Sequence, residues 1–591
     1  MPKKKAAKKP SKPVRKPTKQ KPASKLKPVA KPVSDKAVPE APAPVPTEPS
    51  PAPLKKEPRR RTAQDMAASQ REISVAEFFT KNRHLLGFDN PRKALLTTVK
   101  EAVDNALDAC EEAGIIPEVI VEIREIPNAK ERYTVIVEDN GPGIVRAQIP
   151  KIFGKLLYGS KFHRLKQSRG QQGIGISAAA MYGQLTTGAS CRITSKTGAK
   201  RPAHYFEIHI DAKKNMPVVH KDEEIKWERL DAAHAGSQGV SKAHGTRVEI
   251  DLEGIFHRGK RSVDEYLEQV LVANPHVTIR YKSPENANEW PRATNTAPPE
   301  AVAIKPHPYG VELGILIQML KGTKARNIRG FLMSEFSRVG PTVADEIIGG
   351  AKLDSSSSPK HLSTPQADAL YRSIQATKIQ RPPTNCLSPI GEELMLEGLK
   401  RVVPGAEFTT SISRPPAVYR GNPFCIEAAL SWGGEGRSLE DGAELIRFAN
   451  RVPLQYQQAA CSVTKGVTST NWRAYGLQQP GGALPIGPLV IAIHIASAWV
   501  PFTSESKEAI ASYPEILKEM KLALQECGRR LGLYLGKKAR IADAEKKKSY
   551  IKTYIPQLAE ALKVILALSD TQTKKVVTNL TDVLERSRTI E

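Results

Sequence analysis

The sequence predicts an α+β fold. Three observations carry that prediction: a long amphipathic helix ahead of a run of strands, strands that no regular helix separates, and a helical tail rich in Lys and Glu. The ordered chain begins near Ile73. Ser74-Val75-Ala76-Glu77-Phe78-Phe79 reads as a helix start with a nearby acidic residue. Phe88-Asp89-Asn90-Pro91 reads as a turn with a cap, and Pro91 suits the first turn of the next helix. That helix runs to Cys110. Its Leu96, Val99, Val103, Ala106 and Cys110 step by three and four along one apolar stripe. Strands are expected at residues 119–126 and 133–138. A Gly- and Lys-bearing loop covers 144–175, and an alanine-rich helix covers 177–182. More strands fall at 191–195, 203–210 and 247–251.

Residues 311 to about 384 read as a small helical module with a Gly/Ser-rich interruption at 349–359. Strands return at 417–419, 424–431 and 489–495, with helices expected at 442–448 and near Val463. The stretch 488–502 is the longest apolar run. It is interrupted by His494 and Ser497, is too short to span a bilayer, and reads as a buried strand. From Ser504 the tail is helical, with a stripe through Ile516, Met520, Ala523, Leu524 and Cys527.

Composition bounds the function. A chain of 591 residues has room for several domains. Its six cysteines are scattered without C-x-x-C spacing, which fits a reduced, intracellular chain without a structural zinc site. The basic start is not followed by an apolar segment, so no secretory signal is expected. The net charge of +27 is uneven: residues 1–62 hold 19 Lys and Arg against four acids, with 15 prolines and no aromatic residue. Such a segment cannot bury enough apolar surface to offset its ordering entropy, so residues 1–70 are expected to be a disordered Lys/Pro/Ala-rich tail. Its lysines would neutralise nucleic-acid phosphates, or serve as a solubilising or targeting segment.

Three patterns within about eighty residues carry the chemistry. They are Glu101-x-x-x-Asn105-x-x-Asp108, Asp139-Asn140-Gly141-Pro142-Gly143-Ile144 and Gly170-Gln171-Gln172-Gly173-Ile174-Gly175, the last running on into Ile176. Each alone has an ordinary explanation: a solvated helix face, a turn, a loose glycine triplet. Their joint order describes a site for a nucleotide and its magnesium. Glu101 can polarise water as a general base. Asn105, one turn later on the same side, can reach Mg2+ through its amide oxygen. Asp139 can accept from an adenine amino group, and Gly141 and Gly143 let backbone approach the base. Gly170, Gly173 and Gly175 can turn N–H groups toward phosphates at a helix start, whose dipole favours an anion. Ser160 and Lys161 can close over the nucleotide.

These patterns resemble the asparagine box and the two glycine boxes of the gyrase, heat-shock chaperone, histidine kinase and MutL superfamily. His244-Gly245-Thr246-Arg247-Val248 looks like its last box, with Thr246 near the adenine. Longer stretches resemble the B subunits of DNA topoisomerase VI: residues 73–96, 157–162, 304–313 and 494–509. The resemblance runs from about Ile73 to the tail helix and leaves out the first 70 residues. It implies a Bergerat-type ATP-binding α/β sandwich at 71–308 and a helix-two-turn-helix module at 309–386. An α/β transducer domain with a long C-terminal stalk helix would follow at 387–591. Lys507 matches the transducer lysine that contacts the γ-phosphate; by position alone it is a lysine at a helix start, where the dipole disfavours it. Arg258-Gly259-Lys260-Arg261 resembles the family's DNA-contacting loop, and reads equally well as a solvated charged turn. Trp472-Arg473-Ala474-Tyr475 resembles the family's Trp-Lys-x-Tyr element with Arg in place of Lys; Arg473 still binds phosphate. The further C-terminal sandwich of some members has no counterpart after the helix.

The resemblance further implies ATP-driven self-dimerisation, with the N-terminal strap completing the neighbour's site. It implies a heterotetramer with an A subunit that cuts double-stranded DNA, and no membrane. The location would be cytoplasmic and nucleoid-associated in a prokaryote, nuclear in a eukaryote. A chaperone or mismatch-repair ATPase would share the three boxes but not the helical module. A non-enzymatic DNA-binding protein would not need Glu101.

Overall fold

The computed structural model describes residues 62–68, 70–159, 164–170, 173–227, 243–504 and 506–587. The chain divides into two compact units, one ending at Arg71 and one running from Glu72 to Glu591. In the first, the described element is helix α1 (Ala63–Ala68). The basic tail expected to be disordered lies, up to Arg61, outside the described residues.

The second unit opens with the two expected helices. Ser74 caps α2 (Val75–Lys81), its hydroxyl accepting from Glu77 N at 3.1 Å. Asn90 caps α3 (Pro91–Glu112), its side chain accepting from Lys93 N at 2.9 Å, with Pro91 in the first turn. Two caps of this kind each contribute about 1 kcal/mol to their helices. The buried stripe of α3 includes Leu96, Val99, Val103, Ala106 and Cys110, as the spacing predicts.

An eight-stranded sheet receives α3. Its strands are β1 (Glu118–Glu125), β2 (Arg132–Asp139), β3 (Cys191–Lys196), β4 (Ala203–Asp211), β5 (Met216–Ile225), β6 (Gly245–Glu253), β7 (Thr278–Lys282) and β8 (Ala287–Trp290). Their order is β5-β4-β3-β6-β2-β1-β7-β8, with every pair antiparallel except β1 and β7. Helices α4 (Ile149–Gly154), α5 (Gly175–Thr187) and α6 (Val263–Ala273) join α3 in the layer that covers it. Val119, Val121, Ile123, Val135, Val137 and Ile250 face that layer. Alternation puts charges on the other face, where Arg192 pairs with Glu249 and Asp251, and Arg247 with Glu138.

Helices α7 (Leu313–Gly322), α8 (Ile328–Glu335), α9 (Pro341–Gly350) and α10 (Thr364–Ala376) enclose a core of their own around Phe331, Leu332, Ile347 and Leu370. After α11 (Glu392–Val402) comes a six-stranded sheet: β9 (Ala406–Ser413), β10 (Ala417–Tyr419), β11 (Asn422–Gly433), β12 (Glu444–Ala449), β13 (Val452–Pro453) and β14 (Leu489–Ser497). It runs β10-β11-β14-β12-β13, with β9 also on β11. Every residue of β14 is buried, which is why its sequence is apolar apart from His494 and Ser497. Ile491, Ile493 and Ile495 face α12 (Ser462–Thr468) and α13 (Pro514–Leu566), while Val490 and Ala492 face α11. Helix α14 (Asp570–Ser587) returns along the far end of α13.

Three expectations need correction. Residues 442–448 do not form a helix: Glu444–Ala449 is β12, parallel to β14, because a short apolar run serves either structure and the neighbouring strand decides. The tail helix starts at Pro514, not near Ser504. Ahead of it, Ile510 forms an isolated antiparallel bridge with Phe502. Within the loop expected at 144–175, Ile149–Gly154 is helix α4. Strands β5, β7, β8, β9 and β13 and helices α1, α4, α6 and α11 have no counterpart among the expected elements.

The α13 stripe is buried as expected, with Ile516, Met520, Ala523 and Leu524 fully inaccessible. Leu524→Ala should therefore cost about 2–5 kcal/mol of unfolding free energy in urea titration. Leu533→Ala, on the same helix but 63% exposed, should stay within about 0.5 kcal/mol.

Candidate active site

A cavity of about 300 Å³ opens between α3, the end of β2, the start of α5 and the loop before α13. Glu101, Asn105, Asp139, Gly143, Gly170, Gly173, Ile174, Gly175, Ile176, Thr246 and Lys507 all line it. Segments more than 400 residues apart in sequence thus meet at one place. Ser160, Lys161, Gln171 and Gln172 lie outside the described residues.

One end of the cavity is built on β2 and β6. Asp139 is the last residue of β2 and is buried. Its Oδ1 accepts from Gly141 N at 2.8 Å and from Thr246 N at 3.1 Å, so two backbone amides fix the carboxylate. The His244 ring contacts Gly141 O at 2.8 Å and holds the turn from the other side. Gly143 has φ 74°, and a β-carbon there would stand 2.0 Å from Lys196 O; only glycine fits. Asn140 points away from the cavity. It accepts from Glu118 N at 2.9 Å and donates to Ile116 O at 3.0 Å, tying the start of β1 to the turn.

The other end is built on α3 and α5. Asn105 is exposed and Glu101 half-buried, on the side of α3 next to its apolar stripe. A β-carbon on Gly175 would sit 1.7 Å from Glu101 Oε2. The missing side chain at the first residue of α5 is what lets the carboxylate lie there, where the helix dipole favours it. Lys507 is buried, in a left-handed backbone conformation (φ 53°) that costs a non-glycine residue free energy. Its Nζ donates to Arg169 O at 3.2 Å. The expectation that Lys507 begins a helix is wrong, since α13 starts seven residues later. It sits in a loop, and the dipole argument does not apply.

Asp108, third member of the first pattern, does not line the cavity. It pairs with Arg169 Nη1 at 2.9 Å and accepts from Gly170 N at 3.3 Å. Arg169 is 3% exposed and also pairs with Glu111 at 2.8 Å and donates to Asn274 at 2.5 Å. Glu111 receives Arg451 at 2.9 Å and His276 at 3.0 Å as well. Burial works against the Glu111 carboxylate, but Arg169 and Arg451 outweigh it and hold its pKa well below the usual range. Asp104, inside the same pattern, is buried and accepts from Tyr266 Oη at 3.1 Å. Burial, with the nearby Glu101 charge, pushes its pKa up to about 6 against the pull of Lys100.

Comparison with known proteins decides the family. Residues 90–214 match the family described as histidine kinase-, DNA gyrase B- and HSP90-like ATPase, and residues 382–547 match the topoisomerase VI B subunit transducer. The B subunit of type 2 DNA topoisomerase 6 from Methanosarcina acetivorans is 47% identical over 506 residues, covering 85% of this chain and 79% of that one. That from Archaeoglobus fulgidus is 45% identical over 528 residues, covering 89% and 85%. That from Natronomonas pharaonis is 34% identical over 686 residues, covering 85% and 84%. The chain belongs to the topoisomerase VI B-subunit family. It is the ATPase subunit of a type II topoisomerase.

The residues expected to contact DNA are not among those that line the cavity. Arg258, Lys260 and Arg261 form an exposed basic turn. Arg473 is exposed and donates to Gln479 O at 2.6 and 3.0 Å, while its neighbour Trp472 is fully buried and donates to Val467 O at 2.9 Å. Among the described residues no helix is long and apolar enough to cross a membrane. Arg169, Glu111 and Arg451 are residues the motif patterns miss. Their partners lie 58 to 340 positions away, and only the proximity of Arg169 to the glycine box signals one of them.

Glu111→Gln would leave two buried guanidinium groups without their shared counter-charge. Breaking such a pair costs about 3–5 kcal/mol at pH 7 in denaturant titration. The pKa of Glu111 is lowered on folding, so its contribution is complete above the unfolded value near 4.5 and is lost as pH falls through the folded value. The variant should therefore show a shallower loss of stability below pH 4.5 than the wild-type chain.

Proposed function

We propose that ATP binds with its adenine at Asp139 and Thr246 and its phosphates at the loop from Gly170 to Ile176. The single observation that supports this reading is the convergence of Glu101, Asn105, Asp139, Thr246, the glycine box and Lys507 on one cavity. The residues fit a nucleotide: a fixed carboxylate acceptor lies at one end, and the N-terminus of a 13-residue helix, which favours phosphate, at the other. Gly141 and Gly143 let backbone approach the base, and Gln171, Gln172, Gly173, Ile174 and Gly175 offer amides to the phosphates. Ser160 and Lys161 close the site. Glu101 takes the proton of the attacking water. Asn105 would hold Mg2+, which when bound neutralises phosphate charge. Lys507 reaches the γ-phosphate from the second sheet, and exchanges its bond to the Arg169 carbonyl for it.

On this reading the chain is organised as an ATP-binding domain (71–308), a helix-two-turn-helix module (309–386) and a transducer (387–591). ATP closes two copies into a clamp, with the segment before Val75 completing the neighbour's site. The clamp holds one duplex while a partner A subunit opens another, so the working enzyme is a heterotetramer that relaxes and decatenates DNA. Arg258, Lys260, Arg261, Arg473 and the basic residues 1–62 contact the phosphate backbone, which carries no sequence information. The enzyme works on DNA in the nucleoid of a prokaryotic cytoplasm, or in a nucleus.

Glu101→Ala should bind ATP normally and lose turnover by roughly 10²–10⁴-fold, the usual contribution of a general base. Steady-state ATPase rates and nucleotide titration on the same preparation check this. Turnover within a few-fold of wild type would remove Glu101 from the role.

A non-hydrolysable ATP analogue should drive dimerisation where ADP does not. Lys507→Ala should weaken that response more than it weakens nucleotide affinity. Sedimentation in the two nucleotides reads both, and equal dimer fractions would sink the clamp.

A further inference from the structure

Side chains outside the motifs connect the exposed basic turn to Lys507. Arg261 ends that turn with a left-handed backbone (φ 62°) and lays its guanidinium over the Tyr456 ring, 5.6 Å from the centroid. Lys93, in the first turn of α3, places Nζ 5.1 Å from the same centroid. Lys93 Nζ also pairs with Asp89 at 2.9 Å and with Glu508 at 2.5 Å. The pair with Glu508 is well shielded, the two side chains being 12% and 6% exposed. Glu508 is the residue after Lys507, and Lys93, Tyr456 and Glu508 line the same cavity as Glu101. The electron-rich face of an aromatic ring attracts cations. Here two cations from different elements share one ring, so the departure of one alters how the ring and the other settle.

We propose that Tyr456 is a positioning residue that carries the binding of a DNA phosphate at Arg261 to Lys507, through Lys93 and Glu508. The inference rests on the reading of the basic turn as a DNA contact. A phosphate offers the guanidinium a stronger partner than the ring, because both members of that bond are charged. Drawn off Tyr456, Arg261 leaves the ring to Lys93. Lys93 holds Glu508, and Glu508 fixes the backbone beside the strained φ of Lys507. DNA at the turn thus adjusts the lysine at the far side of the cavity without touching the nucleotide. The same step ties ATP turnover to the presence of a duplex.

The test uses the full-length chain, with ATP turnover measured with and without duplex DNA and DNA affinity measured by fluorescence anisotropy. Tyr456→Leu should lower the ratio of DNA-stimulated to basal turnover by about threefold, the weight of one cation–π contact, while DNA affinity stays within about twofold. Tyr456→Phe keeps the ring face and should keep the ratio. Glu508→Gln, which breaks the next link, should lose the ratio as Tyr456→Leu does. Arg261→Ala should lower affinity and ratio together. If Arg261→Ala does so while Tyr456→Leu and Glu508→Gln behave as wild type, the turn contacts DNA but the route through Tyr456 is wrong. Unchanged affinity in Arg261→Ala would show that the turn is no DNA contact, and the inference would fall with that reading. A wild-type ratio of one, or a loss in Tyr456→Phe as deep as in Tyr456→Leu, also overturns it.

Discussion

The arrangement of the site depends on one buried charge cluster, Glu111 between Arg169 and Arg451. A carboxylate and two guanidinium groups taken from water carry a large desolvation cost, and only mutual pairing offsets it. The cluster is therefore intolerant of displacement, and that intolerance sets the position of everything attached to it. Arg169 precedes the first glycine of the phosphate-facing loop, so fixing Arg169 fixes where that loop begins. Arg451 belongs to the turn between β12 and β13, so the same carboxylate holds the second sheet. The connection continues inward. Arg451 N donates to His494 Nε2 at 2.9 Å, and His494 Nδ1 donates to Glu427 at 2.7 Å. Glu427 also accepts from Ile390 N, Gly391 N and Ser413 Oγ, each at 2.7 Å, so both of its buried oxygens are engaged.

What is legible in the sequence is local. Asn90 and Ser74 cap their helices, and the periodic stripes of α3 and α13 are buried, because caps and amphipathic spacing act within a few residues. The three motif patterns converge on one cavity for the same reason: each is a short segment whose own geometry presents its polar atoms. The failures are equally physical. The stretch 444–449 is a strand only because β14 lies beside it, and no property of six residues reveals a parallel neighbour 46 positions away. Asp108 has the spacing of a third cavity residue, yet a distant arginine claims it. Lys507 does reach the site, but its left-handed backbone and its bond to Arg169 O arise from a loop whose path the sequence does not signal.

The two sheets differ in how they meet solvent, and the sequence records the difference. The first sheet is covered by helices on one side and laced with ion pairs on the other, so its strands alternate. The second has helices on both sides of β11 and β14, so those strands are mostly apolar on both faces. A polar residue in β14 must therefore find a partner inside, and both do: His494 with Glu427, and Ser497, whose hydroxyl donates to Pro423 O at 3.0 Å.

Helix α13 is held against the second sheet through its first seven turns, as far as Lys538, which pairs with Glu407 of β9. Beyond Lys538, as far as Leu566, it is mostly exposed, a length of roughly 40 Å at 1.5 Å per residue. The helix is thus a lever with its fulcrum in the sheet that carries Arg451 and the loop of Lys507. A tilt of about 7° at that fulcrum moves the far end by about 5 Å, or one helical turn. Sub-ångström rearrangements around a phosphate would in this way become register-sized movements at the distal tip, where α14 is packed.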